Sequence, residues 1–187
     1  MVATHSLMLP LGSLAPGFSL PDTHGKIIRL EDLAAAPALL VAFICNHCPY
    51  VIHIRGGLVG LAVDYRSRGL AVVGINANDA QRYPADHPEL MAAEGYPFPY
   101  LYDESQAVAR SYQAACTPDF FLFDAARRLV YRGQMDGSRP GNLMPVTGVD
   151  LRRALNALLA GEAPLGDQKP SLGCSIKWRP GNSPAGW

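Results

Sequence analysis

The chain has 187 residues, 49% of them apolar, enough to bury one sizeable core with a further segment attached. Lys plus Arg and Asp plus Glu number 16 each, so no overall field favours nucleic acid, an anionic membrane surface or a strongly charged substrate. No window approaches the ~20 uninterrupted apolar residues of a membrane span, which sets aside a membrane protein.

The opening MVATHSLMLPLGSLAPGF has no cationic leader followed by a long apolar run, and a cytoplasmic protein is expected. From Phe18 to Leu30 a short strand, a turn at Asp22 to Gly25 and a second strand make a hairpin. The run Ala38 to Ile44 is apolar throughout, as in a strand covered on both faces, and it leads directly to Cys45. From Cys45 to about Arg68 apolar residues recur at three- and four-residue intervals (Val51, Ile54, Leu58, Leu61, Tyr65). This predicts a helix weakened in its middle by Gly56 and Gly57 and ended by Gly69. Leu70 to Asn76 is a second buried strand, parallel to the first across a right-handed crossover.

A polar, proline-bearing loop, NDAQRYPADHP, follows, of the kind found beside a site; then come a short helix near Glu89 to Glu94, a brief strand about Tyr100 and a helix over Ser105 to Tyr112. Asp119 to Phe123 and Leu129 to Gln134 form an antiparallel pair around DAARR, with Phe120, Phe121 and Phe123 as sheet core. Thr147 to Ala160 closes as an amphipathic helix with Leu151, Leu155, Leu158 and Leu159 on one side. Residues 1–161 thus form one domain. The Gly- and Pro-rich residues 162–187 form a C-terminal tail, which Ile176 and Trp178 beside Cys174 would pack onto that domain.

Chemistry concentrates at Cys45-Asn46-His47-Cys48. A thiol between a buried strand and a helix meets unpaired backbone N–H groups that favour its anion, which points to Cys45 as the attacking thiolate. Two intervening residues place Cys48 to close a disulfide with it. A CxxC near a strand, helix, strand pattern is a general thioredoxin-like signal. Half a zinc site is the other use of a CxxC, but Cys116, Cys174 and the five histidines supply no second ligand pair at suitable spacing. No metal or organic cofactor is indicated. His47, between the cysteines, is placed to stabilise the thiolate or to stand exposed on a loop, and His53 lies further along the same helix. Pro118, after Thr117 and opening a strand, raises the question of a cis peptide that would present the Thr117 backbone to an incoming chain.

Four separated segments, FICNHCPYV, INANDAQRYPADHPE, ACTPDFFLFD and PSLGCSIKW, together with the order of elements over Pro16 to Ala160, resemble the thioredoxin superfamily in its peroxiredoxin-like, redoxin branch (the alkyl hydroperoxide reductase/thiol-specific antioxidant type). The resemblance implies an α/β thioredoxin-like fold: a central mixed β-sheet flanked by helices, with the N-terminal hairpin and the C-terminal tail as additions. It makes Cys45 and Cys48 the redox pair and Pro118 the cis-proline that faces it; His47 and Thr117 are the supporting candidates that the residues themselves offer. It also adds Cys116 and Cys174 as further redox candidates. The chain departs from the peroxiredoxin pattern of Pro, then Thr or Ser, then the peroxidatic Cys: with Cys48 in the last place, Cys45 holds the Thr position and Val41 the Pro position. It departs from ordinary thioredoxin in having Asn46-His47 for Gly-Pro and no tryptophan just before Cys45.

The motif favours thiol-disulfide exchange, in which a protein disulfide is the substrate and an external thiol of thioredoxin or glutathione type is the reductant. Peroxide reduction through a sulfenic acid is the alternative, resolved by the neighbouring cysteine, Cys116 or Cys174. A redox-inert binding module that recognises a partner through the tail and the YPADHP loop is the third reading.

Overall fold

Runs that are apolar at every position bury both faces, and two of them form the centre of this molecule. In the computed structural model, which describes residues 3–184, strands β1 (Ala3–His5), β2 (Ser19–Pro21) and β3 (Ile27–Arg29) lead into β4 (Ala38–Phe43), helix α1 (Pro49–Arg66) and β5 (Leu70–Asn76). Helix α2 (Pro88–Met91), β6 (Tyr100–Tyr102), α3 (Ala107–Ser111), β7 (Cys116–Thr117), β8 (Asp119–Phe123), β9 (Leu129–Gly133), α4 (Val149–Leu159) and β10 (Leu172–Ser175) complete the order.

The main sheet has five strands in the order β6-β5-β4-β8-β9. β4 pairs in parallel with β5 and antiparallel with β8, so the sheet is mixed, and helices flank it. Because side chains alternate along a strand, β4 divides its residues between two cores. Leu40, Ala42 and the following Ile44 face Val51, Ile54, Leu58 and Leu61 of α1 and Leu151 and Leu155 of α4. Leu39, Val41 and Phe43 face Val108, Ala109 and Tyr112 about α3 and Phe18, Leu20 and Ile28 about the β2–β3 hairpin. Phe120, Phe121 and Phe123 are all buried in these cores.

The crossover helix starts later than its periodicity suggests. Cys45 to Cys48 lie outside it, with Cys48 as the N-cap and Pro49 at the first helical position. Proline fits there because its missing N–H would have no partner in the first turn and its φ is already helical. The helix tolerates Gly57 because a Cβ at that position would stand 2.5 Å from Val146 Cγ1. Gly69, at φ +90°, supplies the left-handed turn into β5.

Three strands escape the sequence reading. β10 lies between β1 and β7 in a small antiparallel sheet, with Cys174 opposite both Ala3 and Thr117. The tail is stitched to the domain on either side of β10. Gln134 N–H donates to Lys169 O and the Ser171 hydroxyl to Gly133 O, while Asp79 N–H and the Gln106 side chain donate to Lys177 O. No helix among the described residues is long and apolar enough to cross a membrane.

Candidate active site

The end of β4, the N-terminus of α1, the β7–β8 junction and β10 converge on a cluster of sulfur atoms. Thr117 is its hub: Cys45 Sγ lies 3.3 Å from the Thr117 hydroxyl, and Cys48 Sγ lies 3.1 Å from the Thr117 carbonyl oxygen. The Thr117–Pro118 peptide is cis. Cys48 Sγ is also 2.8 Å from Cys174 Sγ. None of the four cysteines is in a disulfide, and all are buried.

Charge at the cluster is distributed differently from the sequence expectation, which put the thiolate at Cys45. The hydrogen bond with Cys48, burial and the nearby Asp86 carboxylate together push the Cys45 thiol well up. Cys48 is the site where an anion is favoured. Hydrogen bonding with Cys174 and with Cys45 lowers its pKa, and the Val51 backbone N–H in the first turn of α1 adds to the effect. The helix start is a smaller contribution on top of these two sulfur contacts: Cys48 is the N-cap of α1, whereas Cys45 lies three residues before Cys48.

His47 is held by Asp86, with Nδ1 to Oδ2 at 2.6 Å, and its ring stacks on Tyr83 at 5.5 Å between centroids. The hydrogen bond to Asp86 raises the His47 pKa against the opposing effect of burial. Asp86 itself has no exposure. Burial alone would raise its pKa, but His47, Asn78 and the Asn46 backbone N–H hold it below the usual carboxylate value. Asn46 is fixed in turn by donating to Ala85 O and accepting from the Tyr100 hydroxyl at 2.9 Å.

Of the residues singled out in the sequence, Cys45, His47, Cys48, Thr117, Pro118 and Cys174 are brought together. Cys116 is not: it is the neighbour of Thr117 on a strand, so its side chain takes the opposite face, and its Sγ contacts Pro118 O at 3.5 Å. Burial pushes its thiol well up. His53, one turn along α1, pairs with the Ser138 hydroxyl at 2.7 Å. Asp86, Asn78 and Tyr100 were missed as individuals. The signal for Asp86 was the proline-bounded polar loop after β5. Cys45, His47 and Asp86 offer ligand atoms within 4.8 Å of one another, half-way to a metal site, but the facing atoms of His47 and Asp86 already bond each other.

The AhpC/TSA family model matches residues 11–132. A solved structure of an uncharacterized conserved protein from Geobacillus kaustophilus is similar over 96% of this chain and 98% of that one, at 54% identity and a TM-score of 0.94. Among curated proteins, thiol-disulfide oxidoreductase ResA of Bacillus subtilis is 29% identical over 125 residues, covering 64% of each chain. The chloroplastic peroxiredoxin Q of Triticum aestivum is 27% identical over 101 residues, 54% of this chain and 45% of the other. The chain therefore spans less than two thirds of the length of either curated relative.

Proposed function

This chain belongs to the AhpC/TSA family, and from that premise we propose that it is a thiol-disulfide oxidoreductase in which Cys45 and Cys48 cycle between dithiol and disulfide. The observation that carries the reading is the convergence of both sulfurs on Thr117, one on its hydroxyl and one on its carbonyl oxygen, beside cis-Pro118. The Cys48 thiolate attacks one sulfur of a substrate disulfide and expels the other as a thiolate. A mixed disulfide results; Cys45, deprotonated, then attacks Cys48 Sγ and releases the second substrate thiol. The substrate gains two electrons, and an external thiol returns the Cys45–Cys48 disulfide to the dithiol. His47, held by Asp86, stands beside Cys45 as the group through which its proton is passed.

Peroxide reduction is a second reading, favoured by one observation: if Cys48 is matched to the peroxidatic cysteine of the family pattern, the anion is favoured at that position. Its thiolate would attack one peroxide oxygen, giving a sulfenic acid and water or an alcohol, and a second thiol would condense with the sulfenic acid to release water.

Rapid mixing of the reduced protein with glutathione disulfide and, separately, with hydrogen peroxide discriminates the two. Fast exchange with the disulfide and slow peroxide consumption are expected. Cys48→Ser should lower the exchange rate by at least ~100-fold, because a serine hydroxyl gives almost no anion at neutral pH. Peroxide consumption faster than disulfide exchange, and abolished by the same substitution, would replace the first reading with the second.

A further inference from the structure

Cys174 is the residue that the dithiol cycle leaves unused. It lies 126 positions from Cys48 in sequence, yet their sulfurs are 2.8 Å apart, inside van der Waals separation. The contact does not depend on a side chain that happens to reach in. Cys174 is registered opposite Thr117, the same residue that both CxxC sulfurs touch, and β10 is held on its other edge by β1. Gly173 brings the strand so close that an added Cβ would lie 2.0 Å from the Thr117 carbonyl oxygen. Ser171 N–H donates to the Ser6 hydroxyl on one side, and Lys177 N–H donates to Asn78 Oδ1 on the other. Sequence-distant backbone is thus committed to delivering one thiol to Cys48, and β10 pairs along β7 as it does so.

We propose that Cys174 is a third redox cysteine of this site, the internal thiol that exchanges with Cys48, so that oxidised protein interconverts between Cys45–Cys48 and Cys48–Cys174 disulfides. The inference rests on the reading of Cys45 and Cys48 as the redox pair and extends it. In the exchange the Cys174 thiolate attacks Cys48 Sγ, the Cys45–Cys48 bond breaks, Cys45 leaves as a thiolate, and the proton lost by Cys174 ends on Cys45; no electrons are gained or lost. Closure needs the 2.8 Å contact to shorten to the ~2.05 Å of a disulfide, a movement within reach of side-chain rotation. Cys174 also stands as an alternative resolving thiol: when Cys48 carries a substrate thiol as a mixed disulfide, Cys174 attacks Cys48 Sγ and expels that thiol.

The test uses the full chain as Cys45→Ser, reduced and then mixed with glutathione disulfide as the probe. Remaining thiols are blocked at intervals, and the disulfides are mapped by mass spectrometry of non-reduced peptides. Cys48–glutathione should form first and give way to Cys48–Cys174 with release of a second glutathione. In Cys45→Ser/Cys174→Ser that second release should be at least ~10-fold slower. Wild type mapped in parallel should show both Cys45–Cys48 and Cys48–Cys174. If Cys45→Ser stops at Cys48–glutathione while wild type closes Cys45–Cys48 alone, the Cys174 role is overturned and the dithiol reading stands. If Cys48 is inert to the probe in both proteins, the dithiol reading fails and the inference falls with it.

Discussion

Asp86 holds a carboxylate with no solvent exposure close to Cys45, where its charge adds to the hydrogen bond with Cys48 and to burial in opposing an anion. Three groups neutralise it locally: His47 at 2.6 Å, the Asn78 amide at 2.7 Å and the Asn46 backbone N–H at 2.8 Å. What remains of its field still opposes an anion at Cys45. Asp86→Asn keeps the shape and removes the charge, so two titrations should move together. The His47 pKa should fall, because its principal stabilising partner is gone, and the pH at which Cys45 becomes alkylatable should also fall, because a repelling charge is gone. Histidine NMR titration and the pH dependence of iodoacetamide labelling, read at Cys45 by peptide mapping, measure the two. A His47 pKa unchanged in the variant would show that Asp86 does not set its charge. The environment that favours an anion at Cys48 over Cys45 lies largely outside the motif. The CxxC spacing is legible, but neither the first helical residue nor the carboxylate, contributed from 38 positions beyond Cys48, is encoded in the motif itself.

At the scale of elements, strands and helices built from local pattern were legible and those built from distant pairing were not. β4, β5, α1 and α4 each carry enough apolar periodicity to be read directly. β1, β7 and β10 are two to four residues long and carry no alternation that distinguishes them from loop. They exist because each satisfies another's backbone, and that information is spread over both ends of the chain. The stability of this small sheet depends on Gly173, where the backbone of β10 approaches Thr117. Gly173→Ala sets a methyl group against a carbonyl oxygen and the Pro118 nitrogen, neither of which can rotate away. The cost should be roughly 1–3 kcal/mol, the ordinary range for forcing extra volume into a packed site. A lowered midpoint in urea should be accompanied by faster alkylation of Cys174 and Cys48 in the folded protein. An unchanged midpoint with unchanged labelling would mean that β10 is not held as tightly as its register implies.

Across the whole molecule, stability against pH is governed by buried groups that the apolar pattern conceals. Asp119 opens β8 at the join between the main sheet and the small one, and burial pushes its pKa up to about 8, a cost only partly offset by backbone N–H groups of Ala115 and Phe120. Its sequence position within a buried strand gave no warning, since the same alternation would suit any apolar residue. A carboxyl whose pKa is raised by folding binds its proton in the native state over a range in which the unfolded chain has already lost it. Its contribution is therefore complete below about pH 4 and is lost progressively as pH rises to about 8, at up to ~1.4 kcal/mol per pH unit. Cys48 has the opposite sign, because folding favours its anion and so favours the native state as pH rises. The raw stability profile mixes the two, and the difference between wild type and Asp119→Asn separates them. Asparagine fills the same space and does not titrate, while the thiol cluster is common to both proteins and cancels. Urea denaturation at pH 5 and at pH 7.5 should show wild type losing stability relative to Asp119→Asn by a few kcal/mol over that interval. A constant difference between the two proteins across the interval would mean that Asp119 does not change protonation there, and that the join between the sheets carries a charged carboxylate.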